Sequence, residues 1–278
     1  MKTERHRTPL DNDIRQRIME VENDKLRHGF MAEYLSLGRV SEIFGKYMPR
    51  KTDVVLTDFD GEEAVMFIIK TAKRKGMLRP VAIPLNKEYE PFAEPVYEYM
   101  VNSEDEYPFS LHENVETSKK YAMTAAKKMF KGLWWPMIDY TRSTVVPYTK
   151  EMVISQQYNK KGLDQYLVEF EDGSRVWTTD KEIAHINVKV ESRWKPCTSH
   201  VCRKRRTLTV AMNYLFDGLD RAIIGGWTEK SQDGSVADAL KHYMFLDLSE
   251  MDSSMVELLK MLAKRYFKKL LIPYSNLI

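Results

Sequence analysis

Apolar residues recur at helical spacing in the first part of the chain. Between Pro9 and Gly38 they fall every three or four residues, which is typical of helices that bury one face. Proline suits the first turn of a helix, where its missing amide hydrogen costs nothing. We predict two helices here, the second ending near Leu37 and Gly38, and a short third helix from about Arg39 to Phe44.

The spacing then changes to that of β-strands. Two runs rich in apolar and β-branched residues, at 64–69 and 80–85, flank a basic stretch that contains Gly76. This pattern predicts a β-hairpin, with a short strand before it at 54–56. Helical spacing returns in two further segments, at 91–101 and 113–131.

Short alternating runs fill the region from Tyr148 to Val190 and are separated by turn signals at Gly162 and Gly173. They predict a small β-rich insertion. We predict further helices at about 203–216, 220–224, 238–245 and 253–271. The predicted fold class is α+β, mostly helical with a small antiparallel sheet. One domain, formed by residues 1–147 and 193–278, is interrupted by the insertion at 148–192.

The composition is that of a globular domain, with 43% hydrophobic and 30% charged residues among 278. No run approaches eighteen consecutive apolar residues, and the opening "MKTERHRTPL" lacks the apolar core of a signal peptide. We therefore expect an intracellular protein with no membrane partner. Cys197 and Cys202 are too few for a disulfide framework or a zinc site, and we expect reduced thiols.

The net charge of +3 does not by itself indicate a nucleic-acid partner. The basic residues are nevertheless clustered, and each cluster taken alone is typical of a solvated face. The clusters are 70–79, 127–131, 203–206 and 264–269.

Arg39 and Glu42 form the first candidate functional pair. A guanidinium can bind a phosphate with two parallel hydrogen bonds, and an acid three residues further along a helix can orient it. Taken alone, such a pair is more often a surface ion pair.

The sequence around this pair resembles the catalytic domain of the tyrosine recombinases of the phage integrase type. "LSLGRVSEI" followed by "DVVLTDFD" is similar to the opening of that domain, whose arginine contacts the scissile phosphate. Later segments follow the order of the family: "FIIKTAKRKGMLRPVAIPL" resembles its lysine-bearing β-hairpin and "SHVCRKRR" its His-x-x-Arg motif. "GGWT" and "KHYMFLD" resemble its final His/Trp and Tyr positions. The ordered set is far more specific than any one segment.

The resemblance implies a catalytic set, and the function that it implies is metal-independent cleavage and rejoining of double-stranded DNA. The implied catalytic residues are Arg39, Lys70, His200, Arg203, Trp227 and Tyr243. Glu42 and Lys73 are supporting residues, with Lys73 the alternative to Lys70. The expected DNA contacts are Lys75, Arg79, Lys204, Arg205 and Arg206. No cofactor and no metal are expected.

The resemblance makes Tyr243 the nucleophile. A phenol has a pKa near 10, so neighbouring cations must favour the phenolate before it attacks phosphorus. Tyr214 and Tyr266 are the alternative nucleophiles, although both fall in strongly helical segments.

Two features leave alternatives open. The C-terminal helix carries an apolar face that we expect to dock on a neighbouring subunit of a homo-oligomer on DNA. Its residues are Val256, Leu259, Leu262, Phe267 and Leu271. The catalytic pattern also begins almost at residue 1, where related recombinases carry a DNA-clamping domain. We therefore expect either a fragment or a minimal enzyme whose insertion provides additional contacts to DNA.

The same residue set fits three functions. The first is a site-specific recombinase or integrase. The second is a type IB topoisomerase, which relaxes supercoils without exchanging strands. The third is a DNA-binding protein that kept the scaffold and lost turnover.

Overall fold

A computed structural model of the chain describes residues 6–72, 77–137, 140–160, 162–190, 193–226 and 253–277. The chain divides into two compact units. Residues 1–135 and 196–278 form the helical unit, and residues 136–195 form the β unit. The sequence placed these boundaries at 148 and 192.

The helical unit contains most of the regular structure. Its helices are α1 (Asp11–Met19), α2 (Asp24–Leu35), α3 (Val40–Ile43), α4 (Ala93–Val101), α5 (Val115–Met129), α6 (His200–Met212), α7 (Gly218–Gly225) and α8 (Ser253–Phe267). Its sheet is formed by β1 (Val54–Phe59), β2 (Glu62–Thr71) and β3 (Met77–Pro84). Short 3-10 turns follow at Lys268–Leu270 and Tyr274–Leu277.

The predicted mixed α+β fold with small antiparallel sheets is confirmed. The predicted hairpin is present, with strands longer than expected at the tip. The predicted helix at 238–245 lies outside the described residues. Among the helices that the structure describes, none has both the length and the apolarity that a membrane span requires.

The three-stranded sheet has the order β1-β2-β3, with every pair antiparallel. Residues 64–69 of β2 are all buried, because helices cover the sheet and the strand needs no polar face. The register places Ile69 opposite Arg79 and Lys70 opposite Leu78. Because successive side chains of a strand alternate between the two faces, Lys70 and Arg79 lie on opposite faces of the sheet.

The C-terminal helix α8 packs on β3 of its own chain. Leu259 and Phe267 of the predicted docking face are buried there. The hydroxyl of Tyr266 also accepts a hydrogen bond from the backbone amide of Ala82, at 2.8 Å. Much of the face expected to meet a neighbouring subunit is thus covered within the chain, and the homo-oligomer stays a prediction.

The β unit consists of short antiparallel strands around a small core. Its strands include β5 (Tyr140–Pro147), β6 (Val153–Tyr158), β7 (Asp164–Glu169), β8 (Arg175–Thr178) and β9 (Ile183–Val190). β5 pairs with β9, and β6, β7 and β8 form a separate sheet. Gly162 and Gly173 both have positive φ, as tight turns require. Strands β4 (Trp134–Met137) and β10 (Arg193–Pro196) lie where the chain passes between the units.

A buried ionic cluster joins α1, α6 and the segment before α4. Glu90 accepts two hydrogen bonds from the Arg15 guanidinium, at 2.6 and 2.9 Å, and lies 3.1 Å from Arg206. The expectation that Arg206 contacts DNA is wrong in this structure, because its side chain is only 1% exposed. Helical spacing places Arg206 on the same buried side of α6 as Cys202 and Thr209.

We predict that Glu90→Gln lowers the free energy of unfolding by about 3–5 kcal/mol, because it leaves the buried guanidinium of Arg206 without its carboxylate and removes one of the two carboxylates that pair with Arg15. Urea unfolding measures the loss. The matched control is Glu94→Gln, which removes an ion pair to Lys87, a side chain that is 71% exposed. This control should cost less than about 1 kcal/mol. Similar losses in both variants would contradict the role assigned to Glu90.

Candidate functional site: an arginine cluster around Glu42

The carboxylate of Glu42 is surrounded by three arginines from distant parts of the chain. Its Oε1 lies 2.9 Å from Arg39 Nη1, and its Oε2 lies 3.4 Å from Arg79 Nη2 and 3.9 Å from Arg203 Nη1. We call these four residues the arginine cluster. It brings together the two arginines that the sequence assigned to the scissile phosphate.

Backbone hydrogen bonds fix Glu42 in place. Arg39 precedes α3, and its amide donates to Glu42 Oε2 at 3.0 Å. The amide of Ala72, just beyond β2, donates to Oε1 at 2.9 Å. Glu42 therefore connects α3 to the end of β2. It also pairs with Arg39, and its supporting role in catalysis stays a prediction.

Arg79 is a structural member of the cluster. The sequence assigned it to DNA contact, but its side chain is fully buried, so that expectation is wrong here. Its guanidinium donates to the carbonyl of Ser36 at 2.6 Å and to the carbonyl of Ile224. These carbonyls lie at the ends of α2 and α7, where helix dipoles concentrate negative partial charge.

Arg203 is held in a similar way. Its guanidinium donates to the carbonyl of Leu37 and, at 3.2 Å, to that of Gly225. Leu37 has φ of +50°, a left-handed conformation that costs a bulky L-residue roughly 1–2 kcal/mol. It follows the last turn of α2, where Gly38 donates to the carbonyl of Glu33 at 2.9 Å and closes a helix-terminating turn. The strained turn directs the Leu37 carbonyl at Arg203.

The cluster has more positive than negative charge. Burial raises the pKa of Glu42, but Arg79 and the amides of Ala72 and Arg39 outweigh it and hold that pKa below its usual value. Burial, followed by Arg39 and Arg79, lowers the pKa of Arg203 to about 9. An anion placed beside these guanidinium groups would relieve their mutual repulsion.

Glu33 is a second acid near the cluster, and burial favours its neutral form. Its side chain is fully buried, and neither carboxylate oxygen has a hydrogen-bond partner within the described residues. Burial, with a contribution from Glu42, raises the pKa of Glu33 well above its usual value, although Arg203 opposes the shift. Glu33 therefore offsets little of the positive charge while it keeps its proton.

Two other predicted catalytic residues lie on elements of the cluster. Lys70 is on β2, two residues before Ala72, and its Nζ lies 3.7 Å from Asp53 Oδ2. His200 is the first residue of α6, three residues before Arg203, and is exposed.

The remaining predicted residues divide into two groups. The structure does not describe Trp227, Tyr243, Lys73 or Lys75, which lie outside the described residues. Of the other expected DNA contacts, Lys204 has its Nζ 5.3 Å from the ring centroid of Trp135. Arg205 Nε lies 4.0 Å from Asp11, and the Arg205 side chain is 18% exposed.

The end of α7 lies directly against the cluster. Gly226 has φ of +62°, and a Cβ at this position would lie 2.6 Å from Thr71 Cγ2 and 2.8 Å from Arg79 Cδ. Only glycine fits so close a contact in a left-handed conformation. The chain therefore leaves Gly226 beside the cluster, and Trp227 is the next residue in the sequence.

Neither alternative nucleophile is accessible in this structure. Tyr214 is 2% exposed and Tyr266 is fully buried. Burial raises the pKa of both phenols, which disfavours the reactive phenolate. Neither tyrosine is therefore suited to attack a phosphodiester.

The sequence did not predict what Arg79, Leu37 and Glu33 contribute to the arginine cluster. A signal for Arg79 was present, since a charged residue inside the apolar run "MLRPVAIP" favours a buried ion pair. For Leu37 and Glu33 the helical pattern gave no such signal.

Within the described ranges, no group of three or more His, Cys, Asp or Glu side chains is placed to hold a metal ion. Comparison with known proteins found no matching family model, no matching curated protein and no matching solved structure.

We predict that Glu33→Gln makes the protein more stable at pH 8 but not at pH 4. The folded state raises the pKa of Glu33, so its stabilising contribution is complete below the unfolded pKa of about 4.3 and is lost as pH rises towards the folded pKa. Within that window the wild type should lose about 1.4 kcal/mol per pH unit relative to the variant.

Urea unfolding at several pH values measures this difference. Glu20→Gln is the matched control, because the Glu20 side chain is half exposed and its change should leave the pH dependence unaltered. A constant difference between Glu33→Gln and wild type across this range would contradict the buried neutral acid.

Proposed function

We propose that this protein cleaves and rejoins double-stranded DNA through a covalent tyrosine intermediate, as a site-specific recombinase or integrase of the tyrosine type. The observation that carries the proposal is the convergence of Arg39 and Arg203, from opposite halves of the chain, on Glu42. The cluster supplies the fixed cations that such a reaction needs.

A phosphodiester resists attack because its anionic oxygens repel nucleophiles. Charge that builds up on those oxygens in the transition state can be stabilised by preorganised donors, and removal of one such donor typically costs 10²–10³-fold in rate. Arg39 is suited to this task because its side chain is 22% exposed while Glu42 fixes its guanidinium. Arg203 is more deeply buried than Arg39, and its positive charge also favours a bound anion.

In the proposed reaction, the phenol oxygen of Tyr243 attacks phosphorus and loses its proton to His200. The bond between phosphorus and the 5′-oxygen breaks, and Lys70 gives that oxygen a proton. The products are a 3′-phosphotyrosyl link and a free 5′-hydroxyl, with the bond energy retained for rejoining. Trp227 has a positioning role, because an indole donates one hydrogen bond and does not transfer protons.

A pool of nicked duplexes of random sequence tests the proposal. Cleavage near a nick releases a short fragment, so the covalent product is trapped and shifts on a denaturing gel. We predict an adduct with the wild type, none with Tyr243→Phe, and about 10²–10³-fold slower formation with Arg39→Ala.

The control is Arg50→Ala, because Arg50 is about half exposed and pairs with Glu106 away from the cluster. It should form the adduct at the wild-type rate. An adduct of equal yield with Tyr243→Phe would show that another residue is the nucleophile. If the wild type binds DNA without forming an adduct, the chain is a DNA-binding protein without turnover.

One observation favours a second activity at the same site. The apolar face of α8 is largely covered by its own chain, which suits an enzyme that acts as a monomer. A type IB topoisomerase would relax supercoiled plasmid in that state without exchanging strands. Relaxation with no recombinant products at all protein concentrations would favour this activity over recombination.

A further inference from the structure

Helix α5 has a strongly basic exposed side. Residues 117–131 include five lysines and no acid. Four of the lysines are exposed, three of them on the helix and one, Lys131, just after its end. Lys127 lies about two turns after Lys120, so these two lysines share one side of the helix. We call Lys120, Lys127, Lys128 and Lys131 the lysine face.

The lysine face has few acidic neighbours among the described residues, and the nearest on its own helix is Glu116, four residues before Lys120. In the part of the chain that the structure describes, no ion pair joins any of the four to a carboxylate. Their neighbour Lys119, by contrast, pairs with Glu116 at 2.9 Å. The basic residues on and just after α8 are also paired, with Lys264 and Lys268 both bound to Asp60.

The opposite side of α5 is already buried. Ser118, Ala122 and Ala126 face the core. Val115, Tyr121 and Met123 are exposed on α5 but lie at different angles around it, so they form no continuous apolar face of the kind that inserts into a membrane surface. A polyanion that meets the lysines from outside fits this geometry better.

The lysine face also flanks the arginine cluster. α5 packs against α3, the helix that carries Glu42. After the C-terminal end of α5, the carbonyl of Leu133 accepts a hydrogen bond of 2.9 Å from the amide of Cys197, which lies just before α6. Three of the four lysines thus lie on a helix that contacts α3, and the fourth lies in the segment that continues towards α6.

We propose that the lysine face binds the sugar-phosphate backbone of double-stranded DNA next to the cleavage site. From Lys120 to Lys128 the helix rises about 12 Å, which spans about three to four backbone steps of 3.4 Å along one strand. This inference rests on the proposed function for its ligand. It adds a positioning surface that the catalytic residues do not include.

The experiment compares two triple variants that remove the same charge. The test variant carries Lys120→Gln, Lys127→Gln and Lys128→Gln. The control carries Lys260→Gln, Lys264→Gln and Lys268→Gln, whose ammonium groups are paired with Glu257 and Asp60. Binding to a random-sequence duplex is measured by fluorescence anisotropy between about 50 and 200 mM salt.

Each phosphate contact contributes about 0.9 to the slope of log affinity against log salt. We expect the magnitude of this slope to be smaller by about 2 to 3 for the test variant than for wild type, while the control keeps the wild-type slope. Adduct formation by the wild type is measured in parallel, as a separate readout of strand cleavage.

The outcomes separate this inference from the proposed function. Equal slopes for the test variant and wild type would overturn the lysine face even if the adduct forms. A reduced slope without any adduct would support the lysine face and count against strand cleavage. Binding of wild type to vesicles with anionic lipid, but not to DNA, would overturn both.

Discussion

The structure of the candidate site depends on one buried carboxylate. Glu42 lies among Arg39, Arg79 and Arg203, and without its charge three guanidinium groups would repel one another in a region with little water. Arg79 and the backbone amides of Ala72 and Arg39 keep the carboxylate ionised, and the amides hold it in place. Through these contacts Glu42 links α3 to the end of β2 and to Arg203 of α6.

The same contact gives the cluster both a buried and an accessible cation. Arg79 is fully buried and satisfies the carbonyls at the ends of α2 and α7, so its task is structural. Arg39 is the most exposed of the three and can meet a ligand. One carboxylate for three cations leaves the positive charge that an anionic substrate would neutralise. The presence of an accessible arginine, Arg39, beside a buried structural one, Arg79, supports the proposed phosphate site.

Much of the fold could be predicted because the signals are local. The helical period located α1, α2, α4 and α5, and the alternating runs located β2 and β3, to within a few residues. The convergence of Arg39 and Arg203 was predicted only through the ordered motifs. Burial of Arg79 and Arg206 was missed, because the direction of a basic side chain depends on packing against distant elements. The contact made by the Leu37 carbonyl was missed because nothing in the sequence indicates that this leucine adopts a left-handed backbone conformation.

The central claim is that Arg39 neutralises charge on the scissile phosphate. The most direct test replaces that phosphate, at a cleavage site recovered from trapped DNA, with an uncharged methylphosphonate. The rate of adduct formation is then compared for wild type and Arg39→Ala on both substrates. We expect a large defect of the variant on the phosphate and a much smaller one on the methylphosphonate, because the second substrate has no negative charge to neutralise. An equal defect on both substrates would contradict this claim.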